Sequence, residues 1–165
     1  MVMTFKPKKK KRRHYHTGFH HSPKGGTFKY RSQWECDVAT FFDHDPLVKT
    51  YDYEKLIIPY ISNIKTGKVR RYYPDFLVTY TDGSRKLIEV KRQDKISDPK
   101  VMKKSNAARV WCSNNNVEFE IWSNTAIKAI KLLNEQNKGS QTKSQATVPL
   151  TLGLIFPPLP QVSVF

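Results

Sequence analysis

The chain has 165 residues, enough for one ordinary domain with tails. Hydrophobic residues make up 38% of it, including nine Phe, eight Tyr and three Trp, which excludes wholesale disorder. A net charge of +15 asks for a polyanionic partner, nucleic acid or an acidic membrane surface. There is no run of about 18 apolar residues to span a bilayer and no signal-peptide pattern at the start, so no membrane partner is expected. The two cysteines, Cys36 and Cys112, lack the spacing of a disulfide framework or a metal site. They fit a reducing compartment and two half-buried thiols.

Residues 1–29 show no apolar periodicity and read as a flexible basic arm. Lys6 to Arg13 holds seven basic residues in eight, and His14, His16, His20 and His21 follow with a spacing that fits no closed four-ligand zinc site. The spacing of Tyr30, Trp34, Val38, Phe41 and Phe42 predicts a helix over Gln33–Asp43, with Ser32 at its cap and Pro46 beyond its end. Strands are expected at Val48–Glu54, Leu56–Ser62, Val69–Thr81, Arg85–Lys91 and Val117–Trp122. Turns are expected at Thr66–Lys68 and Thr81–Ser84. A helix is expected over 98–115, with Val101, Met102, Ala108, Val110 and Trp111 as its apolar positions, and a last helix over Thr125–Asn137. From residue 138 the composition changes: Gly139–Thr147 is a polar linker, and Val148–Phe165 is apolar, proline-rich and uncharged. The expected organisation is therefore an arm over 1–29, a folded domain over 30–137, and a linker with an apolar tail over 138–165.

Two neighbouring strands carry the chemistry. One carries Tyr73-Pro74-Asp75-Phe76 and the other carries Ile88-Glu89-Val90-Lys91. Successive strand residues point to opposite faces, so Glu89 and Lys91 share one face while Ile88 and Val90 enter the core. Hydrolysis of a phosphodiester needs oxygen ligands for a hard cation, a positioned water and positive charge beside the developing phosphorane. Asp75, Glu89 and the Val90 carbonyl can supply the oxygens, and Lys91 the charge. Glu35 can reach the same place from the first helix, although Ser32-Gln33-Trp34-Glu35 also fits a capping box in which Glu35 is occupied locally. For Asp75 and Glu89 to face the same way, the turn between their strands must have odd length. A three-residue loop Asp82-Gly83-Ser84 with Gly83 left-handed sets Asp75 opposite Lys91 and Leu77 opposite Glu89; a bulge beside Pro74 is the alternative.

The order of these pieces resembles the PD-(D/E)XK nuclease superfamily, and more closely the TnsA-type transposon endonucleases. The matching stretches are Tyr30–Glu35, Arg71–Phe76 and Leu87–Lys91, continued by Ala107-Ala108-Arg109 and the strand at Val117–Trp122. Phage head-completion nucleases look similar over the same part of the chain. The resemblance implies an α/β fold with a restriction-endonuclease-like core, a mixed central sheet flanked by helices. It implies catalytic roles for Glu35, Asp75, Glu89 and Lys91, with Asp75, Glu89, the Val90 carbonyl and Glu35 holding Mg²⁺, for which Mn²⁺ can substitute. Some TnsA relatives carry Gln where Glu89 stands, so this chain follows the wider superfamily pattern there. TnsA proteins commonly carry a further helical domain after the nuclease, whereas here about 28 residues follow the last expected helix.

The implied activity is a Mg²⁺-dependent nick in one DNA strand at transposon ends, made with a TnsB-like transposase under a TnsC-like ATPase regulator. The alternatives are a phage nuclease acting on packaged DNA ends, a junction resolvase, and a non-catalytic DNA-binding scaffold. Lys8, Lys9, Lys10, Lys11, Arg12 and Arg13 of the arm, with Arg70, Arg71, Arg92, Lys103 and Lys104, are the expected DNA-backbone contacts. Lys68, Tyr72, Tyr73, Lys95 and Lys100 are further candidates for that surface. In the tail, Leu154, Phe156, Leu159 and Phe165 are the expected partner-binding side chains. Proline-stiffened, uncharged segments lose little entropy on docking to a groove or a sheet edge.

Overall fold

The computed structural model describes residues 16–140. The expectations for Lys8–Arg13 and for the tail beyond residue 140, including Leu154, Phe156, Leu159 and Phe165, lie outside the described residues. Eight strands and three helices follow in chain order: β1 (Gly18–Ser22), β2 (Gly26–Tyr30), α1 (Gln33–His44), β3 (Val48–Tyr53), β4 (Ile58–Asn63), β5 (Lys68–Tyr72), β6 (Phe76–Tyr80), β7 (Arg85–Val90), α2 (Pro99–Asn115), β8 (Glu118–Trp122) and α3 (Asn124–Ser140). A 3₁₀ turn at Gln93–Lys95 links β7 to α2.

The central sheet has the order β3-β6-β7-β8. β3 and β7 each run antiparallel to β6, while β8 runs parallel to β7 through the crossover helix α2. The α/β class with a mixed central sheet flanked by helices is as expected. Each face of the sheet builds its own core. On one face Phe76, Val78, Ile88 and Val90 pack with Val38, Phe41 and Phe42 of α1 and Ala126, Ile127 and Ile130 of α3. On the other, Leu87 packs with Ala108 and Cys112 of α2 and with Ile58, Tyr60 and Tyr72 of a separate two-stranded sheet, β4-β5.

α1 begins where expected because Ser32 caps it, its hydroxyl accepting from the Glu35 amide at 3.3 Å. α2 begins at Pro99, with Asp98 as its cap accepting from the Lys100 amide. Its buried stripe is Ser105, Ala108 and Cys112, with Val101 half-buried one turn earlier. Met102 and Val110, read from sequence as apolar-face positions, are exposed: each lies one or two positions off that stripe and turns to solvent. Cys112 is buried and Cys36 half-buried, and both are free thiols.

Three expectations are corrected. First, residues 18–29 are not arm: β1 and β2 form a hairpin seated on α1. Asp43 of α1 accepts from Ser22, from Tyr51 at 3.2 Å and from His20 at 2.7 Å, and Lys24 caps the end of α1 through the Phe42 and Asp45 carbonyls. Phe28 stacks on Tyr53 with ring centroids 4.4 Å apart. Sequence periodicity misses this hairpin because it is held by long-range polar contacts and one aromatic stack. Asp43→Ala removes the acceptor for three donors at once and is expected to cost about 2–3 kcal/mol in urea denaturation; an unchanged midpoint would show that the hairpin contributes nothing to stability. Second, the single strand expected over Val69–Thr81 is two strands in two sheets, β5 and β6. Pro74 has no N–H for a ladder and breaks the run. Third, the α3 helix runs on to Ser140, into the expected linker.

The β6–β7 loop does have odd length and Gly83 does have positive φ, at +86°. The loop is Thr81-Asp82-Gly83, one residue earlier than expected, with the Tyr80 amide donating to the Ser84 carbonyl at 2.9 Å. Phe76 pairs with Ile88 and Leu77 with Leu87, not with Glu89. Continued by one residue, that register sets Asp75 opposite Glu89, where Lys91 was expected.

Candidate active site

Asp75 and Glu89 are two of the four buried polar or charged residues among the described ones. Pro74 ends the link from β5, and Asp75 enters β6 with its backbone tied on one side and its carboxylate on the other: its carbonyl accepts from the Glu54 amide at 3.0 Å, and Oδ2 accepts from the Val90 amide at 2.7 Å. Glu89 is held at both oxygens. Tyr72 Oη donates to Oε2 at 2.6 Å, and Lys91 Nζ lies 2.9 Å from Oε1. Burial raises the Asp75 carboxyl well above the ordinary range, and the neighbouring charges of Glu89 and Glu35 push it the same way against Lys91. Burial pulls the Lys91 ammonium down, but Glu89 and Asp75 outweigh it and the net shift is upward, so Lys91 is a firmly charged cation.

Glu35 is placed differently. Its carboxylate accepts from the Arg31 amide at 2.7 Å, from the Ser32 hydroxyl at 2.8 Å and from Tyr53 Oη at 2.6 Å. It therefore serves the start of α1 and fixes Tyr53. It still borders the site: Glu35, Val90, Lys91, Arg92 and Lys95 line one open cleft of about 680 Å³. Among the described residues no group of three or more His, Cys, Asp or Glu side chains is gathered to hold a metal by itself. Glu35 thus does not join Asp75 and Glu89 in a three-carboxylate cage.

Three residues at the site escaped the sequence reading. Tyr72, read as a DNA-facing aromatic, is buried and bonded to Glu89. The sequence of β5 shows no alternation that marks it: the four residues before Tyr72 are all exposed. Glu54 follows β3 with φ +48°, pairs with Arg31 at 2.9 Å, and has a carboxyl raised by burial, with Glu35 and Glu89 adding to it and Arg31 opposing. Tyr53 reaches Glu35 across the β3 edge. Neither Glu54 nor Tyr53 belongs to any local motif, and only the fold brings them in.

The expected DNA contacts among the described residues fall in three places. Arg70 and Lys103 line a cleft of about 610 Å³ between β4-β5 and the start of α2, and Lys104 Nζ stands 4.9 Å over the Tyr72 ring. Arg71 is exposed on the opposite face of β5. Arg92 belongs to the Glu35–Lys91 cleft, where it forms a two-pronged pair with Asp94 at 2.9 and 3.0 Å.

A mixed sheet flanked by helices, with an Asp and a Glu level on adjacent strands and a lysine two residues past the Glu, is the arrangement of a restriction-endonuclease-like core. Residues 45–124 match the family model described as TnsA-like endonuclease, N terminal. The head completion nuclease of Enterobacteria phage T4 is 33% identical over 70 residues, 42% of this chain and 46% of that protein. The chain thus spans about half the length of the curated relative it matches. The resemblance expected from the motifs holds: over residues 45–124 the chain is similar to TnsA-like endonucleases, and over 70 residues it is similar to a phage nuclease. The family match contains Asp75, Glu89 and Lys91 and begins after Glu35.

Proposed function

We propose that this protein is a Mg²⁺-dependent DNA endonuclease that nicks one strand of duplex DNA, with Asp75, Glu89 and Lys91 as its working residues. The observation that carries the reading is the buried pair Asp75 and Glu89, level on adjacent strands, with Lys91 Nζ 2.9 Å from Glu89. Two buried carboxylates that repel one another are costly unless a cation offsets them. The donor set fits a hard cation: two carboxylates and the Val90 carbonyl, the remaining positions left to water and phosphate. Mg²⁺ is ordinarily held by one or two carboxylates rather than by a complete protein cage, which suits the lack of a third acidic ligand. Bound there, Mg²⁺ would supply Lewis-acid charge beside the scissile phosphate and lower the pKa of an attacking water.

The chain's own residues do the rest. Lys91 holds positive charge where the phosphorane develops and orients the attacking water. Tyr72 fixes the Glu89 carboxylate, so that its lone pairs are aimed before substrate arrives. Glu35, held by Arg31, Ser32 and Tyr53, keeps negative charge at the mouth of the site and acts on Asp75 and Lys91 electrostatically. Arg92 and Lys95, which share the cleft with Lys91, would receive the flanking phosphates.

In the TnsA setting this nick falls at a transposon end, with a transposase of TnsB type and an ATPase regulator of TnsC type selecting the site. The T4 similarity favours a second reading, a nuclease acting on DNA ends during phage head completion. Lys8–Arg13 would add affinity in either setting, and the apolar tail around Leu154, Phe156, Leu159 and Phe165 would dock a protein partner.

Nicking of supercoiled plasmid by the full chain, with Mg²⁺, with Mn²⁺ and with EDTA, tests the activity. The expected outcome is conversion to open circle with either cation and none with EDTA; equal cleavage in EDTA would overturn the metal-dependent reading. Deleting residues 1–13 is expected to make log K against log salt shallower, since fewer counterions are released. An unchanged slope would assign the arm to something other than DNA.

A further inference from the structure

The β4-β5 ribbon is not part of the central sheet. A two-stranded hairpin alone is marginal in water. This one is anchored at its base, where Ile58, Tyr60 and Tyr72 bury against Ala108 and Cys112 of α2. Its outer half has no such cover. Ile61 and Val69 pair across the ribbon on one face and are exposed, and Ile64 at the tip is 81% exposed. Single exposed apolar residues need no explanation, but three together at the end of a projecting ribbon form a patch.

Charge says what the patch meets. From Ile58 to Tyr72 the ribbon contains Lys65, Lys68, Arg70 and Arg71 and no acidic residue. None of the four forms a salt bridge among the described residues. On the face opposite the apolar pair, Lys68 and Arg70 line the cleft of about 610 Å³ together with Lys100 and Lys103 of α2. Lys103 donates to the Ser62 carbonyl at 2.9 Å, so ribbon and helix are held as one cationic wall. The carboxylate in that cleft, Asp98, is spent on capping α2. The base of the ribbon leads into the site, since Tyr72 bonds Glu89 and Asp75 follows three residues later.

We propose that β4-β5 is a groove-reading ribbon: it enters the major groove of duplex DNA, Ile61, Ile64 and Val69 lying against base edges while Lys68, Arg70, Lys100 and Lys103 hold the flanking phosphates. The proposal rests on DNA being the substrate, and it adds how the duplex is seated relative to Asp75 and Glu89. The major groove admits a two-stranded ribbon, and apolar side chains there contact thymine methyl groups. The lysines and arginine position the duplex without reading it, and the apolar tip confers preference for the bases it touches.

The test uses the full chain, a labelled mixed-sequence duplex, EDTA to prevent cleavage, and a salt series. Three proteins are compared: wild type, the triple variant Ile61→Ser, Ile64→Ser, Val69→Ser, and the pair Lys68→Ala, Arg70→Ala. Wild type is expected to protect guanine N7, a major-groove atom, from dimethyl sulfate. The triple variant is expected to lose that protection and at least about 10-fold in affinity with its salt slope unchanged, because tip contacts release no counterions. The pair is expected to make the slope shallower by about 1.8, two phosphate contacts' worth. The single variant Ile64→Ser, at the most exposed position, guards against misfolding of the triple and is expected to move in the same direction. Wild-type binding without N7 protection, no duplex binding at low salt, or a triple variant that binds and protects like wild type would each overturn the ribbon. Cleavage with Mg²⁺ is scored separately: binding with N7 protection but no cleavage sinks the nuclease reading and leaves the ribbon standing.

Discussion

Asp75→Ala and Lys91→Ala are each expected to lower Mg²⁺-dependent nicking on the order of 10³-fold or more, while duplex affinity measured in EDTA changes less than about threefold. The magnitude follows from what each removes. Loss of one preorganised charge aimed at a developing oxyanion costs about 10²–10³-fold in other enzymes. Asp75 would carry a second burden, because on the proposed reading it is one of the two carboxylates, among those buried in the described residues, that would hold the cation. Affinity would be spared because, on the proposed reading, the exposed lysines and arginines rather than these two groups make the ground-state contacts with phosphates. Lys91→Arg separates charge from shape: it keeps the cation but cannot present it as a compact ammonium 2.9 Å from Glu89. Full nicking activity in either alanine variant would sink the assignment. Parallel loss of affinity and nicking would instead mean that the residue holds the fold or the DNA.

How far the sequence alone reaches depends on whether a signal is local. Glu89-Val90-Lys91 is legible because strand alternation puts the first and third side chains on one face, and the fold keeps them there in contact. Pro74-Asp75 is legible as a motif, but not as a break between two sheets: Val69–Thr81 reads as one strand because its composition is continuous through Tyr72 and Tyr73. The loop parity was recoverable from the need to bring two carboxylates to one face. The residue at which the turn closes was not, because Asp82 accepting from Ser84 moves the loop one position earlier. Glu35 carries two compatible local readings, and the distances place it in the capping role. The β1-β2 hairpin and Glu54 had no local signature at all. Asp43, Tyr51 and the Phe42 and Asp45 carbonyls hold the hairpin, and Asp75 and Arg31 engage Glu54, from positions far along the chain.

Asp75→Asn is expected to raise the melting temperature of the metal-free protein by several degrees at pH 7 and to abolish most of the further rise that Mg²⁺ or Mn²⁺ produces in wild type. The sign follows from linkage. The Asp75 carboxyl is raised in the folded state, by burial first and by Glu89 and Glu35 next. Between the ordinary Asp value of about 3.9 and that raised value, the folded protein binds the extra proton. Stability of the metal-free protein therefore falls as pH rises through this window, the reverse of a salt-bridged carboxylate. Asn keeps an oxygen to accept from the Val90 amide, now at 2.7 Å from Asp75, and removes the charge. The neutral variant should thus lose that downward slope as well as gain stability at pH 7. Cation binding to the folded state adds RT ln(1 + [L]/Kd) in wild type only, so the melting curves of wild type and variant converge or cross as metal is added. Thermal melts of both proteins at pH 5 and pH 7, each with EDTA, Mg²⁺ and Mn²⁺, give these comparisons. A variant that melts below wild type in EDTA at pH 7 would show that the buried pair is not held at a cost. A variant that gains as much from the cation as wild type would place the metal elsewhere than on Asp75.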